Sequence, residues 1–115
     1  QGTFERVLSY VYRNDIEINL IESDTEIKWV QSIKSKRKLE TIPIKGLGGT
    51  IMQSGFDYVA DHFNEFNTLL LTDGYTDSLD LSRIKGNVLI ISIGTECPIS
   101  KSNGKVKQIV LDTEE

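Results

Sequence analysis

The stretch Thr68-Leu69-Leu70-Leu71-Thr72-Asp73-Gly74 decides how this chain folds. Three consecutive leucines between threonines leave no alternation of apolar and polar side chains. A strand built from them must bury both faces, as in a parallel sheet covered on both sides. The run halts at Asp-Gly, a pair with turn chemistry. Asn87-Val88-Leu89-Ile90-Ile91-Ser92-Ile93-Gly94 repeats the pattern of a buried strand that ends at a glycine. Between the two lies a polar loop with Asp77, Ser78 and Asp80. Beyond them, Ser100 to Lys105 reads as a loop and Val106 to Leu111 as a last, alternating strand before the acidic tail Asp112 to Glu115.

Upstream of the leucines, Met52, Phe56, Val59, Ala60 and Phe63 recur at helical spacing, which predicts a helix closing near Asn64 with one core-facing stripe. Gly46-Leu47-Gly48-Gly49-Thr50 leads into it, with Thr50 at the helix start. Leu39 to Lys45 is a short connection containing Pro43. Ile16 to Ile21 and Glu26 to Ile33 both alternate across the turn Ser23-Asp24-Thr25, which predicts a β-hairpin whose second strand lies at a sheet edge. Lys28, Lys34, Lys36, Arg37 and Lys38 suit such an edge, because charge there opposes pairing with other chains. Phe4, Val7, Leu8 and Val11 mark a first amphipathic helix that ends near Asn14-Asp15. The whole reads as one domain, residues 1–115, of α/β class: a three-layer sandwich around an open, mostly parallel, Rossmann-like sheet with an antiparallel edge hairpin.

Composition narrows the function. With 13 Lys+Arg against 17 Asp+Glu the net charge is −4, which argues against nucleic acid as the partner, since lysines and arginines supply most of that affinity. No apolar run approaches the roughly 18–20 residues that span a bilayer, so no membrane partner is expected. The lone Cys97 can form no internal disulfide and fits a reducing, cytoplasmic setting. The chain opens on Gln1-Gly2-Thr3-Phe4 and its one Met is Met52, which reads as an internal start with something missing upstream.

In open α/β sheets ligands bind beyond the carboxyl ends of the strands, which makes Asp73 the natural functional carboxylate. If the glycine loop reaches the same end, the Thr50 hydroxyl and the Asp73 carboxylate can meet on one hard cation, because Mg²⁺ takes oxygen ligands. Each has a plainer role beside this one: Asp73 can satisfy its own turn and Thr50 can cap the helix. A dinucleotide site is excluded, since the third glycine of that fingerprint falls on Ile51, and no phosphate-loop Gly-Lys-Ser/Thr is present. His62 lacks a Glu-x-x-His partner, so zinc-peptidase chemistry is not expected. Cys97, before Pro98, reads as structural, Lys34 to Lys38 as a solvated hairpin exit, and Tyr75, Asp77 and Asp80 as a binding rim or plain surface.

The hairpin Ile16 to Ile33, the Gly-Gly-Thr of Gly48 to Thr50 before a helix, Leu70-Leu71-Thr72-Asp73-Gly74-Tyr75, and the strands ending at Ile93-Gly94 and Leu111 together resemble the von Willebrand factor A (VWA)-like domains. The resemblance is closest to the C-terminal VWA-like domain of bacterial and phage proteins classed as metallopeptidases. It implies a metal-ion-dependent adhesion site in which Thr50 and Asp73 are metal ligands for Mg²⁺ or Mn²⁺. The family's Asp-x-Ser-x-Ser loop and the first central strand before it are missing from these residues, so the resemblance implies a sheet lacking its middle strand and a partial site. Another protein or an upstream segment then completes the site, and the sheet is completed either by such a strand or by the hairpin pairing directly with the strand that ends at Asp73. The expected function is a protein-binding module with no catalytic residues of its own, within a larger metallopeptidase-associated protein. Two alternatives stand: a metal-dependent hydrolase in which the cation activates water, and an assembly subunit with a vestigial site.

Overall fold

A computed structural model of the chain describes residues 6, 9, 18–22, 29–35, 38–43, 51–72 and 77–112. In chain order the elements are β1 (Ile18–Glu22), β2 (Trp29–Ser35), β3 (Lys38–Pro43), α1 (Ile51–His62), β4 (Asn67–Thr72), β5 (Leu79–Asp80), β6 (Val88–Ile93), β7 (Ile99–Lys101) and β8 (Val106–Leu111). Arg6 and Ser9, the described residues of the first predicted helix, are helical and exposed.

Six strands form one sheet in the order β3-β2-β1-β4-β6-β8. β1, β4, β6 and β8 run parallel, and β2 and β3 add antiparallel neighbours at one side. β4 is buried from Thr68 to Thr72, as its leucine run requires. Register turns this into two cores. Ile21, Leu70 and Ile90 stand in one row across β1, β4 and β6, while Leu20, Leu69 and Leu89 form a row on the opposite face. The first row packs with Met52, Phe56 and Val59 of α1, which confirms the predicted stripe, and with Leu79, Leu81, Ile84 and Cys97 from the connections. The second face gathers Ile18, Leu20, Leu69, Leu71 and Ile91. Burying each such side chain stabilises the fold by roughly 1.5–3 kcal/mol, so these rows hold the sheet together.

Of the two ways of completing the sheet, the structure shows direct pairing: β1 pairs with β4 from Ile18↔Asn67 to Glu22↔Leu71, so the hairpin's own first strand occupies the place beside the Thr-Asp-Gly strand. Two expectations are corrected. The edge belongs to β3 rather than to the hairpin's second strand, and β3 lies in the stretch read as a connection. An edge strand tolerates proline, above all at its end, where Pro43 stands. The loops after β4 and β6 also hold short strands, β5 and β7, which pair parallel with each other. Two and three residues are too few for any periodicity to mark them.

At the amino end of the sheet, asparagine side chains tie the connections down. Asn19 Nδ2 donates to Phe63 O (2.9 Å), just past the end of α1. Asn64 donates to Arg83 O and accepts from Lys85 N, both at 2.9 Å. Asn67 Oδ1 accepts from Asn87 N (2.9 Å). Asn103 donates to Ile84 O (2.7 Å) and Gly86 O (2.8 Å) while accepting from Lys105 N (2.7 Å). The packing there leaves Gly86 no room for a side chain: an added Cβ would sit 2.8 Å from Phe66 O and 2.9 Å from Asn67 Oδ1.

Candidate functional site

α1 ends over the start of β1, through Asn19 and Phe63, and the turn Phe63–Phe66 feeds straight into β4. The helix therefore runs back against β4. Its first turn lies at the carboxyl end of the sheet, where β4 finishes. Ile51 opens the helix and Thr72 closes the strand. Thr50 and Asp73, the two predicted metal ligands, are the sequence neighbours of these residues, and both lie outside the described residues, as do the Gly46 to Gly49 loop, Gly74 and Tyr75.

One side chain joins the helix start to the segment returning from β4. Gln53 Oε1 accepts from Asp80 N (2.7 Å), and Gln53 Nε2 donates to Asp80 O (3.0 Å) and to Asp57 Oδ1 (2.9 Å). An amide side chain that offers both a donor and an acceptor pairs with a strand residue as another strand would. Gln53 does this for β5. Gln108 does the same for Cys97, accepting from its N and donating to its O at 2.9 Å each.

Asp80 faces its own turn. Its carboxylate accepts from Ser82 Oγ (2.6 Å) and Ser82 N (3.0 Å). The Ser82 hydroxyl, then its backbone N–H, hold the Asp80 carboxyl below its ordinary value of 3.8. Arg83 beside it binds Asp61, with Asp57 at 3.8 Å, and the hydrogen bond to Asp61 raises the guanidinium further above its ordinary value. Asp77 and Ser78 are exposed. Asp80 is thus committed to a turn, and among the rim candidates Asp77 is the exposed carboxylate.

Thr72 and Ser92 are register partners at the carboxyl ends of β4 and β6, and both are fully buried. Among the described residues, Ser92 Oγ has no hydrogen-bond partner. Burying such a hydroxyl unpaired costs about 1–3 kcal/mol. Its signal in the sequence is a single polar residue inside the apolar run Val88–Ile93. At the other end, Asn19 Oδ1 and Thr68 Oγ1, neighbours across β1 and β4, likewise have no partner among the described residues.

The remaining candidates take structural places. Cys97 is buried in the α1-side core. His62 is exposed, its ring 4.2 Å from that of Tyr58. Lys34 lies in β2 and Lys38 in β3, while Lys36 and Arg37 fall outside the described residues. Among the described residues, no three His, Cys, Asp or Glu side chains gather within reach of one metal ion. No described helix is long and apolar enough to cross a membrane.

A mostly parallel sheet with antiparallel strands at one side, and a helix start facing the end of the central strand, defines an α/β domain of Rossmann-like architecture. The chain belongs to the family described as VWA-like domain (DUF2201), whose model matches residues 3–110. No curated protein matches the chain, and no solved structure does.

Proposed function

We propose that this chain is a protein-binding module that engages its partner at the carboxyl end of the sheet, where Thr50 and Asp73 supply two oxygen ligands to Mg²⁺ or Mn²⁺. The observation that carries the reading is the Gln53–Asp80 pairing. It ties the start of α1, next to Thr50, to the segment returning from Asp73 at one end of the sheet. A hydroxyl and a carboxylate suit a hard cation in kind, and two ligands fall short of the six such an ion prefers. The other positions fall to water, to a carboxylate of the partner protein, or to a further segment of the polypeptide. Membership of the VWA-like family supports an interaction or metal-site module. A place within a larger metallopeptidase-associated protein, which follows from the resemblance of the sequence, and a cytoplasmic setting, which the lone Cys97 fits, are part of the same proposal.

Titration of Mn²⁺ into the chain, followed by water-proton relaxation, tests this. Saturable binding is expected for the wild type and binding at least about tenfold weaker for Asp73→Ala. Equal affinity in the two overturns the metal site.

A further inference from the structure

The two edges of the sheet differ in how they are guarded. β3 carries Lys38, Glu40 and Pro43, and its pairing with β2 is interrupted by a register shift at Ile33/Ser35. Charge, proline and irregularity are the devices by which edge strands avoid pairing with other chains. β8, at the far edge, pairs with β6 in unbroken register from Val88↔Val106 to Ile93↔Leu111. It has no proline and one charge, Lys107. Among the described residues nothing pairs with its outer side. Ile109 and Val110, at 42% and 40% exposure, are the large apolar side chains left open to solvent there. Being consecutive, they point to opposite faces of the sheet. Apolar exposure on both faces at once marks a strand without a neighbour, whereas a missing helix would bare only one face.

Backbone direction shows which groups this edge offers. Leu111 O accepts from Gly94 N and Lys105 O from Val88 N, so odd-numbered residues of this strand turn their backbone groups toward β6. Val106, Gln108 and Val110 turn theirs outward. The charges are ordered too: exposed Lys105 and Lys107 at the start, exposed Asp112 after the end, then Glu114 and Glu115 in the sequence. Antiparallel pairing of two such strands sets the basic start of one beside the acidic end of the other, and parallel pairing sets like charges together.

We infer that β8 is a self-association edge, and that its occupant is β8 of a second copy of this chain, antiparallel about a two-fold axis perpendicular to the sheet. That axis preserves the faces, so paired residues share parity. Centring on Ile109 places the two Ile109 side chains against each other at a non-hydrogen-bonded pair, where side chains lie closest. Gln108 then exchanges backbone hydrogen bonds with Val110 of the second copy, and Val106 lies opposite Asp112. Every outward backbone group from Val106 to Val110 meets an outward group. The two carboxyl ends point in opposite directions, which makes the dimer bivalent toward partners bound there. A single strand pair buries less than a standard interface, so the association is weak and concentration-dependent.

Sedimentation velocity across a wide concentration range tests the inference on the chain itself. A sedimentation coefficient that rises with concentration is expected for the wild type, with self-association weakened at least about tenfold in Ile109→Lys. Val110→Pro gives a second test, because it removes an outward N–H and leaves the β6 ladder whole. Circular dichroism melting shows that each variant is folded. A wild-type chain that stays monomeric throughout, or a dimer that both folded variants leave intact, overturns it.

Discussion

The two ends of the sheet are built differently. At the amino end, Asn19, Asn64, Asn67 and Asn103 each reach a backbone group of another segment, and together they bind the approaches to β4, β6 and β8. At the carboxyl end, Gln53 ties the helix to the segment returning from β4, Gln108 and Ser100 tie the loops after β6 and β4, and among the described residues the buried Ser92 hydroxyl has no partner. β4 is buried without a break from Thr68 to Thr72, so the difference lies in the connections and not in the core. An α/β sheet that closes one end with side-chain hydrogen bonds keeps its strands in register while the loops at the other end are free to be shaped by what they bind.

Removing the strongest tie at the closed end breaks this comparison most directly. Asn103→Ala deletes three hydrogen bonds and leaves the carbonyls of Ile84 and Gly86 without that donor. A loss of roughly 2–3 kcal/mol is expected from urea unfolding, because partly buried backbone groups lose their partners. A loss under about 0.5 kcal/mol, the level of an ordinary surface change, would show that the amino end is held by strand packing alone.

Gln53→Ala sharpens the same contrast from the other side. About 1 kcal/mol of global stability is expected to go, one net hydrogen bond's worth, since Asp80 at the rim can turn to water. The larger effect is local. Hydrogen exchange at Asp80 and Leu81 should quicken while exchange at Val88 and Lys105 stays slow, because segments open as separate units. Equal acceleration at both ends would mean that the Gln53 link supports the whole fold.

Much of this architecture can be read from the chain, and what cannot be read is instructive. β4, β6 and β8 announce themselves through apolar runs or alternation, and α1 through the spacing of Met52, Phe56 and Val59, because burial on one or two faces imposes a period. The pairing of β1 with β4 has no such local mark, since register between distant strands is set by the packing of Leu20 on Leu69 and Ile21 on Leu70. With the family's usual central strand absent, the hairpin's first strand takes its place beside β4, one of the two completions the sequence leaves open. The asparagine ties have no mark in the sequence, because composition does not say which distant carbonyl a short amide will meet. Gln53 was silent for the same reason. Thr50 and Asp73 are legible as candidates from their motifs, and they lie outside the described residues, so their meeting on one cation stands as a proposal.

The smallest expected effect concerns acid. Asp80 is ionised in a turn where the Ser82 hydroxyl and N–H donate to it, and its folded pKa is lowered from 3.8. A carboxyl with a lowered folded pKa binds protons more readily when unfolded. Its contribution is therefore fully present above about 4, the unfolded value, and is lost as pH falls through the folded value. Ser82→Ala removes the larger donor and should raise the folded pKa toward the unfolded one. Wild type and variant should then differ in stability at neutral pH and converge as pH falls through the folded value, as read from thermal midpoints across the acid range. The loss should stay local to the β5 turn, since the carboxylate is solvent-exposed and screened. Curves that stay parallel down to the lowest pH would show that Ser82 acts on the turn through backbone shape and not through the carboxylate, and would leave Gln53 alone holding β5 to the helix.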